Sequence, residues 1–313
     1  MKNKALVVYV LACLAMAWPS QAMFAQDKVQ DQAAHEYVVR AITLAVTVQD
    51  SKGTFVNNLT EKDFTIYENN KKKPITYFMH DFGAPLSLTV LLDVSGSMAI
   101  GSKLDECKTV LRDLATRILR YHDELGLLLF ADGQVEVGAK HSTDKREFLK
   151  VLEKTEAYGQ TALNDAVAIS PEYATRALNE KRALLLITDG VENDSQATPE
   201  QALEIARRVD VPIYVIGYKI PRADQLAAHK RSPGMTAAGI VGTLERFAVA
   251  TGGKAWFLNE PTDLAQVVRD IKKEQAHQYM IGYTSYQDTA ELYRWIRVTT
   301  PKTKYRVRTR QGY

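Results

Sequence analysis

With 313 residues, 46% of them hydrophobic and 25% charged, the chain is long enough for one large or two ordinary domains and too apolar to be disordered throughout. Its formal charge of +3 gives no global pull toward nucleic acid or other polyanions. The only cysteines, Cys13 and Cys107, exclude a disulfide-stapled scaffold, so stability has to come from core burial.

The chain starts with a charged Met1-Lys2-Asn3-Lys4, an apolar run from Ala5 to Trp18, and then Pro19-Ser20-Gln21-Ala22. That order of a basic segment, an apolar core and a small-residue cleavage site marks a signal peptide over residues 1–25. The run is short for a bilayer span, which needs about 20 residues. Export with cleavage is therefore expected, to a periplasmic, secreted or cell-surface location, with no transmembrane span in the mature chain. Because the apolar run continues past Cys13, cleavage is favoured over lipidation there.

Residues 36–81 show a period of two, clearest where Ile42, Leu44, Val46 and Val48 alternate with Thr43, Ala45, Thr47 and Gln49. This is the pattern of a half-buried antiparallel strand. Short strands are expected at Asp63–Tyr67 and Lys73–Met79, parted by Asn69-Asn70, which can enter the left-handed region without glycine. So small a β module needs a partner to close a core.

From Leu86 the pattern changes to continuous apolar runs alternating with helix-period segments, which specifies parallel strands covered by helices on both faces. Runs at 86–92, 125–131, 183–187 and 211–218 are expected strands. Leu104, Cys107, Leu111, Leu114, Ile118 and Tyr121 recur at steps of three and four, the buried stripe of a helix, and place Cys107 in the core. Thr198-Pro199 reads as a helix cap and first-turn residue, and Pro171 as a kink. The polar stretch Pro221–Thr236 is a long surface loop, and Pro261 to His277 the last helix.

Residues 278–313 return to period two, with strands expected at 278–283, 292–298 and 304–310. The last carries Lys304, Arg306, Arg308 and Arg310 on one face, read as the solvated face of an edge strand. The resulting expectation is an α/β fold, a doubly wound mainly parallel sheet over residues 85–277, inserted between strands of a small β-sandwich formed by 36–81 and 278–313.

In a doubly wound sheet, ligands bind beyond the carboxyl ends of the strands. Asp93, Ser95 and Ser97 follow the first parallel strand, Asp189 follows a central one, and Thr161 opens a helix from a glycine-containing loop. Carboxylates crowded at one point repel unless a cation offsets them, and oxygen donors suit a hard divalent ion that keeps some of its waters.

Asp93-Val94-Ser95-Gly96-Ser97 resembles the D-x-S-x-S signature of von Willebrand factor type A (vWA) domains, with Thr161 and Asp189 at the positions that complete the family's metal-ion-dependent adhesion site, or MIDAS. The resemblance implies a Rossmann-like domain holding Mg²⁺ or Mn²⁺ on Ser95, Ser97 and Thr161, with Asp93 and Asp189 acting largely through water. It also implies an adhesive function. A partner protein, or a glycan, would supply a carboxylate to the ion. Glu192, Asn193 and Asp194, with His229, Lys230 and Arg231 of the long loop, would form the rim that selects the partner. The flanks, including Val46–Gly53 and Tyr305–Arg308, are similar to those of exported bacterial vWA-related proteins.

Enzyme chemistry is not expected. Asp93 has no second aspartate two residues on for phosphoryl transfer, neither Ser95 nor Ser97 sits in a G-x-S-x-G elbow, and P-loop and H-E-x-x-H motifs are absent from the sequence. The rival functions are a structural or assembly protein of the cell envelope with a non-adhesive site, and a polyanion-binding protein using the basic tail, although nucleic acid is disfavoured by the few aromatics on that strand.

Overall fold

The computed structural model describes residues 37–227, 235–288 and 293–313. The chain forms β1 (Tyr37–Gln49), β2 (Thr65–Glu68), β3 (Lys71–Lys73), β4 (Tyr77–Met79), β5 (Leu86–Asp93), α1 (Lys103–Asp113), β6 (Glu124–Ala131), β7 (Gln134–Ser142), α2 (Arg146–Lys154) and α3 (Leu163–Ala174). There follow β8 (Lys181–Thr188), α4 (Pro199–Ala206), β9 (Ile213–Tyr218), α5 (Ala223–Ala227), α6 (Ala237–Ala250), β10 (Ala255–Leu258), α7 (Pro261–Ala276), β11 (Tyr279–Asp288), β12 (Ile296–Thr299) and β13 (Arg306–Arg308).

Six strands form the central sheet in the order β10-β9-β8-β5-β6-β7, parallel except for β7 at one edge. The continuous apolar runs are explained by the two covered faces. Leu88, Val90 and Leu92 of β5 point into one core with Cys107 and Leu111 of α1 and Val268 and Ile271 of α7. Leu91 points the other way, with Leu184 and Leu186 of β8, Val167 of α3 and Leu244 and Phe247 of α6. The edge hairpin turns at Asp132-Gly133, both with positive φ, which matches the right-handed twist of the flanking strands. Thr198 caps α4 through its side chain, which accepts from the Gln201 N–H, and Pro199 takes the first turn. Pro171 lies inside α3, which ends one turn later at Ala174, short of a helix running toward Leu178.

The strands before and after this sheet pair with one another. β1 runs antiparallel to β11, setting Leu44 opposite Ile281, and then to β13, setting Val48 opposite Val307. With β4 they form a four-stranded sheet in the order β13-β1-β11-β4, facing a three-stranded sheet β12-β2-β3. Ile42, Leu44, Val46, Ile66, Tyr279, Ile281 and Val298 fill the space between them. The expected strand across Lys73–Met79 is two strands, β3 and β4, in different sheets; Pro74 follows β3 directly, and proline cannot donate to a ladder.

The basic tail departs from the solvated stripe read in the sequence. The Arg308 guanidinium is paired with Glu274 of α7, Arg310 with Asp210, and Arg294 with the buried Glu68. Arg310 is only 5% exposed. Arg308 and Arg310 point back onto α7 and the loop before β9, while Lys304 and Arg306 stay exposed, so the stripe is internally paired at one end and solvated at the other. That removes part of the cationic face on which a polyanion reading rests.

Candidate metal centre

Three loops meet at the carboxyl end of the central sheet. The first leaves β5 at Asp93, the second carries residues 158–161 into α3, and the third leaves β8 at Asp189. Backbone hydrogen bonds lace them together: Tyr158 N–H donates to the Val94 carbonyl (2.8 Å), Gly96 N–H to that of Gly159 (3.0 Å), and Asn193 and Asp194 N–H groups to that of Thr161 (both 3.1 Å). The Thr161 N–H donates in return to Asn193 Oδ1 at 2.9 Å.

Asp93, Ser95, Thr161 and Asp189 are buried, and Ser97 is half-buried. Asp93 Oδ1 accepts from the Ser95 N–H at 2.9 Å and Oδ2 from the Thr188 hydroxyl at 2.6 Å. The Ser95 and Ser97 hydroxyl oxygens lie 3.2 Å apart. Asp189 Oδ1 accepts from the Val191 N–H at 3.1 Å, and Oδ2 pairs with Lys103 Nζ at 2.6 Å. Burial, with the Asp189 carboxylate as the next cause, pushes the Asp93 carboxyl up to about 7.

As donors for a hard ion these residues fit. Three hydroxyls provide neutral oxygens, and each carboxylate oxygen, though already accepting one hydrogen bond, keeps a lone pair that a metal-bound water can use. Among the described residues no group of three or more His, Cys, Asp or Glu comes together, as expected where hydroxyls outnumber carboxylates. What the donor pattern did not reveal is Lys103, an ammonium already in place at one of the two carboxylates. Thr188 was also missed. The signals for them were the one lysine in the turn after Ser97 and a second polar residue at the end of an apolar strand.

Ser97, Lys103 and Asp189 open onto a cleft of about 540 Å³ whose walls include Ile100, Lys219 and Arg222. Of the expected rim, Glu192 turns inward: Oε1 accepts from the N–H groups of Asp194 (3.0 Å) and Ser195 (2.9 Å), and Oε2 from the Ser195 hydroxyl (2.7 Å). Asn193 is likewise engaged with Thr161. Asp194 is half-buried, and His229, Lys230 and Arg231 lie outside the described residues. Asp165 holds the third loop, accepting from Gln196 and Ala197 N–H groups at 2.9 and 2.8 Å.

Asp132 supports the second loop by accepting from the Gln160 N–H at 2.6 Å. Gly159, with φ +69°, lies so close that an added Cβ would fall 2.2 Å from the Asp132 carboxyl carbon. Gly159→Ala is expected to cost about 1–2 kcal/mol through the left-handed backbone and to displace Asp132. Guanidinium unfolding checks it; a cost below about 0.5 kcal/mol would show that the loop adapts freely.

Residues 88–192 match the model of the von Willebrand factor type A domain. An uncharacterized protein of Borreliella burgdorferi is 27% identical over 157 residues, which cover 47% of this chain and 43% of that protein, so the chain matches less than half of that relative's length. Among solved structures, the pilus adhesin SpaC from Lactobacillus rhamnosus GG is 13% identical with a TM-score of 0.51, covering 68% of this chain and 34% of SpaC. A von Willebrand factor type A protein from Catenulispora acidiphila is 16% identical with a TM-score of 0.46, covering 78% of this chain and 51% of that one. At such an identity the likeness to SpaC concerns the fold alone.

Proposed function

Because residues 88–192 match the model of the von Willebrand factor type A domain, we propose that the chain binds another protein through a divalent ion, Mg²⁺ or Mn²⁺, held at Ser95, Ser97 and Thr161 and backed by Asp93 and Asp189. The observation that carries this reading is the convergence of three hydroxyls and two buried carboxylates from three hydrogen-bonded loops on one end of the sheet. The ion, when bound, supplies an electrophilic position for an external carboxylate. The chain's part is to keep direct anionic ligands few, so that the ion stays able to accept one. The role is adhesive and not enzymatic, with an Asp or Glu side chain of the partner as the group recognised. The open cleft beside Ser97 provides room for the residues flanking it.

Export to the cell envelope or surface is part of the same proposal, supported by the signal-like sequence of residues 1–25, which lie outside the described residues. Among the described residues no helix is long and apolar enough to cross a membrane.

The test is retention of envelope proteins on the immobilised chain in Mg²⁺, with chelator and with Thr161→Ala as controls. Retention should require the ion and be lost in the variant. Retention that survives both chelation and Thr161→Ala would overturn the reading.

A further inference from the structure

The buried Lys103 is 7% exposed and its Nζ stands 2.6 Å from Asp189 Oδ2, on the floor of the cleft that Ser97 and Asp189 also line. We propose that Lys103 couples the two ligands of this site, weakening the hold on the metal alone and strengthening it when a carboxylate ligand arrives with it. The inference rests on the metal reading above and adds a residue that the donor pattern does not contain.

The reasoning is one of net charge in a region shielded from water, where uncompensated charge is costly. With both carboxylates ionised, as they are when an ion is bound, Asp93, Asp189 and Lys103 together carry one negative charge. A divalent ion turns that into one positive charge, and the carboxylate of a partner then brings the site to neutrality. Without the lysine, two carboxylates and a divalent ion are already neutral, and an incoming carboxylate would leave the site negative. Lys103 thus makes the metal-loaded site an acceptor of anions, and by linkage the anion must improve metal affinity by the same factor.

The geometry gives this ammonium little chance to be a bystander. It belongs to the first residue of α1, anchored in the core by Leu104, Cys107 and Leu111, so its reach toward Asp189 is set by a packed helix. Asp189 holds its second oxygen against the Val191 N–H, which leaves the lysine as the side-chain charge its carboxylate meets at Oδ2.

Calorimetric titration of Mg²⁺ into the full chain and into Lys103→Met, in chloride and in acetate of equal ionic strength, tests the coupling with acetate as the carboxylate probe. In chloride the variant should bind Mg²⁺ about tenfold more tightly. Acetate should tighten Mg²⁺ binding by the parent about threefold or more and do nothing for the variant. Lys103→Gln, which keeps a donor for Asp189 without the charge, should behave like the methionine variant even if the latter folds poorly, and Lys103→Arg should behave like the parent. Mg²⁺ binding of equal or lower affinity in the uncharged variants, or an acetate effect of the same size in all, overturns the coupling alone. Absence of Mg²⁺ binding in parent and variants in both buffers overturns the metal reading itself and the coupling with it.

Discussion

Glu68→Ala is expected to destabilise the protein by about 3–5 kcal/mol, the cost of removing one partner from a buried ionic network. The Glu68 carboxylate is buried between the two small sheets. Its Oε1 accepts from the hydroxyls of Ser285 (2.6 Å), Tyr313 (2.6 Å) and Tyr283 (3.1 Å), while Oε2 meets Lys73 Nζ at 2.7 Å and Arg294 Nη1 at 3.2 Å. Alanine would leave these donors facing an apolar gap. Burial alone would raise this carboxyl, yet the bonds from Lys73, Ser285 and Tyr313 hold it down at about 2. A depressed value means that the ionised form is favoured by folding. Its contribution is complete above the ordinary value of 4.5 and fades as pH falls toward 2. The gap between parent and variant, read from guanidinium midpoints, should therefore be full at pH 7 and shrink at acid pH. A loss below about 1 kcal/mol at pH 7 would mean that the network contributes little beyond packing.

The second large effect concerns the ion. Adding Mg²⁺ at about 100 times its dissociation constant should stabilise the parent by about 2.7 kcal/mol, and Asp93→Ala should abolish that gain. For a chain of this size this is a melting shift of roughly 4 °C. The alanine variant should still fold. It orphans the Ser95 N–H and the Thr188 hydroxyl, each costing about 1–3 kcal/mol, but it also relieves the repulsion between Asp93 and Asp189. Because the Asp93 carboxyl is raised toward 7, Mg²⁺ must displace a proton at and below neutrality, so the shift should diminish from pH 8 to pH 6. Scanning calorimetry at both pH values checks this, and equal Mg²⁺-induced shifts in parent and variant would sink it.

Much of the α/β sheet was legible because its signals are local. A strand buried on both faces is apolar nearly throughout: 183–187 is so at every position, and 86–92 at every position but Ser87 and Thr89. The candidate donors were legible for the opposite reason: a carboxylate and hydroxyls at the end of such a strand have no packing role, so Asp93, Ser95, Ser97 and Asp189 stand out. Thr161 was marked only by its place at a helix start after a glycine-containing loop, and the resemblance gave that threonine its role.

The flanking strands show the limit. Period two at Ile42–Val48 says that one face is buried, but nothing in it says that Leu44 lies opposite Ile281 on a strand at the far end of the chain. The basic alternation of the tail was misread in the same way at Arg308 and Arg310, though not at the exposed Lys304 and Arg306. Alternation records two faces, and whether the charged face meets water or Glu274 and Asp210 depends on what the fold places behind it.

By itself, then, the sequence determined the elements, the buried faces and a set of oxygen donors at strand ends, because periodicity and residue chemistry are properties of short stretches. Only the tertiary structure decided that Lys103 sits on Asp189, that Glu192 folds inward onto its own loop, and that Arg308 and Arg310 of the basic tail pair with internal acids. Ion pairs join residues remote in sequence, and their energies depend on the burial that the completed fold imposes.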